Sequence, residues 1–546
     1  MKKKIIIGVV LVITLFLLGL VGYLFSQEME SGDQATSQKQ EMESFFGNSS
    51  LPEARNLSFT KQELPQKHTF EKSQMSPLVG SALVDIDQNG IDEILVGGAH
   101  NQNDVWYEYQ NGKMVNITQR LQWQKGEGAT YGTAVVDYDQ DGDGDVFVAR
   151  ADGVYYYENK SGATFAAGKR IEVFLEEGSV PTGITLGDLN ADGNVDMFVS
   201  TYLRHDRIEG TTIFNKEAHG TVSRLLLGKG DLIFEDITEG AGLLYRHNTF
   251  AGTFSDLDND GDADLAVAYD TGAARIYRND GSLRFSLVAG IPWENKYGYP
   301  MGIGIGDINN DTLPDVFFSN VGSSLPEFLL RGDLRKDQEL LKDWTLYQNQ
   351  GDMNFTDVTN MLALPEHEFA WGGVLADIDQ NGREDLIVSE NYVKIPQQRI
   401  RPLPGRVFFQ DREGNFIPQE KALKIENPHF SLSSLVSDWN QDSVQDIVWV
   451  NIDGFSQLYL SSISNERNVD RIKVPYEARF LGSRWEVKWG NGESIHWRYD
   501  PSEGIGSSQS SIWSFLSRAE KPVTVTVQFI GGKAADGKEW YQSGDN

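Results

Sequence analysis

The sequence predicts an all-β chain: a seven-bladed β-propeller with an N-terminal transmembrane helix and a small C-terminal β-domain. Three observations carry that expectation. A nine-residue acidic pattern recurs seven times between residues 85 and 446; each copy runs into a short apolar stretch rich in β-branched residues; and most copies are followed by an aromatic phrase broken by an Asn- and Gly-rich turn. The expected division is 1–26 membrane anchor or signal segment, 27–75 polar stalk, 76–465 seven repeats and 466–546 a small β-domain.

The 546 residues are too many for one small core. With 48 Lys and Arg against 79 Asp and Glu, the net charge is -31, which repels nucleic acid phosphates and attracts cations. No nucleic-acid partner is expected. Apolar residues at 40% and aromatics at 11% suffice for a packed interior, so the acidity is not that of a disordered chain. The absence of cysteine rules out disulfides, thiolate metal sites and cysteine nucleophiles.

Met1 and three lysines precede an uncharged apolar run from Ile5 to Phe25. At about 1.5 Å per residue such a helix spans roughly 31 Å, enough for a hydrocarbon core of about 30 Å. The lysines hold the N-terminus inside, so the bulk of the chain is expected outside the cytoplasm, anchored through this helix or secreted if the segment is cleaved. From Ser26 to about Ser73 the composition turns to Gln, Glu, Ser, Lys and Asn without a sustained period, which reads as a stalk.

The seven loops are DIDQNGIDE (Asp85, Asp87, Asn89, Glu93), DYDQDGDGD (Asp137, Asp139, Asp141, Asp145), DLNADGNVD (Asp188, Asn190, Asp192, Asp196), DLDNDGDAD (Asp256, Asp258, Asp260, Asp264), DINNDTLPD (Asp307, Asn309, Asp311, Asp315), DIDQNGRED (Asp377, Asp379, Asn381, Asp385) and DWNQDSVQD (Asp438, Asn440, Asp442, Asp446). The residues named are positions one, three, five and nine, and 23 of the 28 are carboxylic acids. Such crowding is repulsive unless a hard divalent cation draws on the oxygens, and calcium, with six to eight oxygen ligands and tolerant geometry, fits better than magnesium. Up to seven Ca2+ sites are expected. Position six is Gly90, Gly142, Gly193, Gly261 and Gly382, which turn the backbone freely, but Thr312 and Ser443 in copies five and seven, where strained, weaker or empty sites are expected.

An EF-hand would need an acid at position twelve between two helices. That position is Val96, Val148, Val199, Val267, Phe318, Val388 and Trp449, each inside an apolar run that reads as a buried strand. A second strand, such as TAVVD ending at Asp137, leads into the loop, and phrases such as VWYEYQNGKMVNIT, VYYYENKSGATF and ARIYRNDGSLRF read as hairpins. Four strands per repeat cannot bury both faces alone, and seven such sheets solve this by closing into a ring. Insertions at Thr201 to Gly220 and Val321 to Asp343 offer places for partner contacts.

These repeats resemble FG-GAP or VCBS-type calcium repeats. The phrases LLLGKGDLIFEDITEGAGL from Leu225 and LYQNQGDMNFTDVTNMLAL from Leu346 are similar to repeats of the cartilage acidic protein family, which ends in an ASPIC/UnbV domain. In the tail, IKV at Ile472, GIGSSQSS from Gly504, FL at Phe515 and VTVTVQFIGG from Val523 resemble that domain, whereas NERNVDRIKV departs from its Gly-rich start. The resemblance implies an extracellular or envelope binding protein and brings no catalytic residues.

Eight histidines show no metal-ligand spacing, GIGIGD from Gly302 runs into an acidic loop instead of a helix, and neither a GxSxG elbow nor a P-loop occurs. Trp485, Trp489, Trp497, Trp513 and Trp540 are expected to pack a core, with a sugar platform as the alternative. The function expected is a binding or adhesion module for a protein or polysaccharide and not an enzyme; the alternatives are a carbohydrate-active hydrolase or lyase and an envelope assembly subunit.

Overall fold

The computed structural model describes residues 57–546 apart from 69–77, 205–219, 391–402, 464–468, 517–520, 544–546 and positions 125, 127, 163, 292, 294–295, 324–326, 332–333, 365–366 and 443. The expected transmembrane run lies outside the described residues, as does most of the expected stalk. Among the described residues no helix is long and apolar enough to cross a membrane.

Seven sheets follow one another along the chain, and each contains one acidic loop. Their first strands are Ser81–Val84, Thr130–Val136, Ser179–Gly187, Thr249–Ser255, Ile303–Gly306, Ala370–Ala376 and Ser431–Ser437. Each packs against the next and the last packs against the first, giving a propeller-like ring of sheets. The acidic loop links each first strand to an antiparallel second strand that begins at position nine: Glu93–Val96, Asp145–Arg150, Asp196–Leu203, Asp264–Tyr269, Asp315–Phe318, Asp385–Glu390 and Asp446–Asn451.

Apart from Leu203 every residue of these second strands is buried. A sheet flanked by sheets on both faces has no solvent side, so runs such as VFV and LIV stay apolar at every position instead of alternating. The core consists of layers between sheets: Phe317 and Leu346 of the fifth pack with Leu386, Val388 and Phe408 of the sixth. Truncating such a phenylalanine to alanine costs about 3–5 kcal/mol. Near the axis the first strands come so close that a Cβ on Gly132 would lie 2.7 Å from Gly183 Cα.

The expected hairpins form at Val105–Gln110 with Lys113–Asn116, where Asn111 (φ 49°) and Gly112 (φ 82°) make a left-handed two-residue turn. They form equally at Ala274–Asn279 with Phe285–Leu287. VYYYENKSGATF departs from the expectation. Gly153–Tyr157 pairs with Lys169–Ile171, while Asn159–Lys160 and Thr164–Phe165 form a separate ribbon. Asn159 is tied by its backbone N–H to Asp145 and by its side chain to the Ile86 carbonyl of the neighbouring sheet, which ends the strand there.

The stalk expected to reach residue 75 is interrupted by the strand Leu57–Lys67, which pairs antiparallel with Phe455–Ile463 and supplies the outer strand of the seventh sheet. The N-terminal part of the ring thus completes its C-terminal sheet. This edge strand is mostly solvent-exposed, with only Leu57 and Leu64 buried, so its sequence carries no apolar alternation.

The C-terminal region has a sheet of Val469–Lys473 between Ile512–Leu516 and Tyr541–Gln542, and a second of Ser494–Arg498, Arg484–Lys488, Thr524–Gln528 and Ala534–Asp536. It is less separate than the expected boundary at 466 implies. Its 500–511 segment enters the ring: Ser507–Ser508 pairs in parallel with Ser81–Ala82, Gly504 and Ile303 exchange backbone hydrogen bonds, the Gly506 carbonyl accepts from Thr133, and Gln509 donates to the Ser434 carbonyl. Short polar residues suit this place because inner-strand N–H and C=O groups need partners. The tryptophans pack: Trp485, Trp489 and Trp513 are buried, and Trp497 stacks on Trp513 with centroids 5.5 Å apart.

Candidate metal centres

The seven loops share one backbone conformation. Position four is left-handed in every copy, with φ of 53–63° at Gln88, Gln140, Ala191, Asn259, Asn310, Gln380 and Gln441. In every copy the N–H of position seven donates to the position-five side chain, as Ile91 does to Asn89 and Val444 to Asp442. In copies one to six the position-six N–H donates to Oδ2 of the first aspartate at 2.7–3.2 Å. Thr312 keeps this bond in copy five at φ 77°, a conformation costly for a β-branched residue, so the expected strain is present. Ser443 lies outside the described residues.

Position nine does work that the sequence did not disclose. In all seven copies one of its carboxylate oxygens accepts the N–H of position two at 2.8–3.0 Å. In copies two to seven the other accepts a backbone N–H at or just beyond the third strand at 2.6–2.9 Å, from Asn159, Gly228, Asn279, Asn349, Gln410 and Ser461. Asp145, Asp196, Asp264, Asp315, Asp385 and Asp446 are thus staples between loop and sheet as well as metal-ligand candidates.

Among the described residues, carboxylate oxygens converge within 4.8 Å of one another in four loops: Asp85, Asp87 and Glu93; Asp137, Asp139 and Asp145; Asp256, Asp258 and Asp260; and Asp377, Asp379 and Asp385. These clusters could hold a metal ion. They are the four copies with aspartate at position three. In the other three, Asn190, Asn309 and Asn440 turn their amides to Asp192, Asp311 and Asp442 at 2.8–3.0 Å, which relieves locally the repulsion a cation would relieve.

Electrostatics distinguish the clusters further. Asp85 Oδ1, Glu93 Oε1 and Asp256 Oδ1 are buried without a hydrogen-bond partner among the described residues, although the second oxygen of each is bonded. A buried carboxylate oxygen left bare is expensive unless a cation meets it. Burial, then repulsion from Asp87 and Asp85, pushes Glu93 up to about 9. Burial likewise raises Asp256 to about 6 against the Arg498 charge, and Asp377 to about 7. Oxygen-only donors, bare inner oxygens and carboxylates whose buried charge is disfavoured without a cation suit a hard divalent ion. Copy two carries a fifth carboxylate outside the expected set. Asp143, at position seven, is buried and raised to about 7 by burial and then by Asp141. The run DGDGD was its signal.

The C-terminal region lies against these loops. Tyr476 OH accepts the Asp85 N–H at 2.8 Å, its carbonyl accepts the Asp137 N–H, and Arg498 donates to the Asp256 carbonyl and to Asn259 Oδ1.

A family model for an FG-GAP-like repeat matches residues 85–148, 137–199 and 256–318, so the chain carries FG-GAP-like repeats. Cartilage acidic protein 1 of Homo sapiens is 23% identical over 371 residues, 61% of this chain and 48% of the relative. The Xenopus tropicalis protein of the same name is 23% identical over 353 residues, 62% of this chain and 44% of its own. The chain spans about half the length of the curated relatives it matches. Among solved structures, an Agrocybe aegerita lectin described as recognising non-reducing terminal N-acetylglucosamine is 14% identical, covers 77% of this chain and 98% of its own, and has a TM-score of 0.41. The exotype rhamnogalacturonan lyase YesX is 11% identical, with coverages of 74% and 76% and a TM-score of 0.37.

Proposed function

We propose that this chain, a carrier of FG-GAP-like repeats, is a membrane-anchored, extracytoplasmic seven-bladed β-propeller stabilised by calcium, and that it serves as a binding or adhesion module for a protein or polysaccharide. One observation carries the calcium part: the bare, buried Asp85 Oδ1 and Glu93 Oε1 sit in one cluster, where an ion supplies the missing partner. Calcium outside the cell is millimolar, which suits extracellular-type sites with dissociation constants of about 0.1–1 mM. That agrees with export directed by the lysines before Ile5.

The geometry of the ring supports a binding role at one end. The C-terminal domain, which we read as ASPIC/UnbV-like, covers acidic loops and sends 500–511 into the ring. The second strands Asp196–Leu203, Asp315–Phe318 and Asp385–Glu390 begin at their acidic loops and end at the opposite side of the ring. Partner recognition belongs there, on connections that vary without disturbing the sheets.

The test is binding of the full chain, in detergent, to immobilised glycans and surface proteins in millimolar calcium and in chelator. Saturable, calcium-dependent retention without chemical change of the ligand is expected. Turnover of a retained glycan would replace this reading with an enzyme, and retention equal in chelator would remove calcium from it.

A further inference from the structure

Within the strand Val469–Lys473, Arg471 and Lys473 are two residues apart and so project from one face. They reach neighbouring loops on either side of the ring's seam. Arg471 Nη2 donates to Asp438 Oδ2 of the seventh loop, and Lys473 Nζ donates to Asp85 Oδ2 of the first. The two contacts are not equivalent. In the first loop the lysine shares Oδ2 with the Gly90 N–H, and Oδ1 is buried without a hydrogen-bond partner among the described residues. In the seventh the guanidinium holds Oδ2, while Asp442 N–H holds Oδ1 at 3.1 Å.

The rest of the seventh loop is equally supplied with donors from the protein. Asn440 donates to Asp442 at 3.0 Å and to the Ser461 carbonyl at 3.1 Å. Asp446 accepts from Trp439 N–H on one oxygen and from both the N–H and the hydroxyl of Ser461 on the other. Its carboxylates do not appear among the converging clusters of the described residues, nor among the buried oxygens without partners.

We propose that Arg471 is the resident cation of the seventh loop, in place of a metal ion, so that this loop latches the C-terminal region to the ring and takes no calcium. The inference rests on the calcium reading of the other loops. It assigns a salt-bridged, planar guanidinium, the side chain best suited to hold a carboxylate, to a site whose sequence reads as a calcium loop. Together with Lys473 it makes one strand a clamp across the junction of the last and first sheets.

Calcium bound per molecule of full chain, by equilibrium dialysis at saturating calcium, tests this with R471M, R471K, D438N and D256N. D438N is expected to bind as many ions as the unmodified protein, and D256N one fewer. R471M, losing the resident cation, is expected to gain one ion, and R471K to gain none. Loss of one ion in D438N overturns the proposal, as does an unchanged count in a folded R471M; if R471M does not fold, D438N decides alone. An unmodified protein that binds no calcium overturns the calcium reading and this inference together, whereas an unmodified protein that binds it and a D438N that loses an ion overturn this inference only.

Discussion

Glu503 of the C-terminal region accepts the backbone N–H of Ile305, in the fifth sheet, at 3.2 Å. Its other oxygen accepts the N–H of Leu375, in the sixth, at 3.2 Å, so one buried carboxylate spans two sheets inside the ring. Glu503→Ala leaves two interior N–H groups unpaired, each costing about 1–3 kcal/mol. A loss of roughly 2–6 kcal/mol is expected by chemical denaturation, with a smaller loss in Glu503→Gln, which keeps one acceptor. A substitution that leaves stability unchanged would show that the inserted segment does not hold the ring.

Thr312→Gly removes a β-branched residue from a left-handed position while retaining the N–H that Asp307 accepts. Relief of about 1–2 kcal/mol of backbone strain exceeds the roughly 0.5–1 kcal/mol entropic cost of glycine. A net gain of up to about 1 kcal/mol is expected in denaturant midpoint, and a clear loss would mean that the threonine side chain has a role of its own.

Asp256→Asn tests a bare oxygen directly. In calcium the variant is expected to lose about 1.4 kcal/mol, the contribution of one site filled at ten times its dissociation constant. In chelator it is expected to match or exceed the unmodified protein, because a buried charge has gone. Equal losses in both conditions would mark the aspartate as purely structural.

The acidic loops should give the metal-free ring an unusual pH profile. Burial raises Asp145 and Asp196 to about 7 and Asp264 and Asp315 to about 8. These groups bind a proton more tightly folded than unfolded, so the stability they contribute is fully present below the ordinary carboxylate value of about 3.9 and is lost as pH rises through the raised values. Melting temperature in chelator is expected to fall between about pH 4 and pH 8, and millimolar calcium, which binds the deprotonated loops, is expected to flatten the fall. A metal-free profile that rises across this range would contradict the assignment.

Much of this was legible in the residues, for reasons that can be named. The second strands show as unbroken apolar runs because sheets cover both their faces, and the GIGIGD stretch is the inner strand Ile303–Gly306 leading into Asp307. The first, third and fifth positions of each loop show because carboxylates cannot crowd without a reason. Position four did not show: Gln, Ala and Asn all adopt the same left-handed turn, dictated by the surrounding hydrogen bonds and not by residue type. The stapling by position nine was hidden because a backbone-bonded aspartate and a metal-bound one look alike in sequence. Leu57–Lys67 was hidden by its exposed edge, and Arg471 and Lys473 by distance along the chain, since their partners lie 33 and 388 residues away.

The most direct test of the central claim is scanning calorimetry of the full chain at neutral pH in millimolar calcium and in chelator. Four sites filled at ten times their dissociation constants would contribute about 6 kcal/mol, comparable to the whole stability of many domains. The ring is therefore expected to melt far earlier, or to be unfolded, in chelator; superimposable melts would contradict the claim that ions in the acidic loops hold it together.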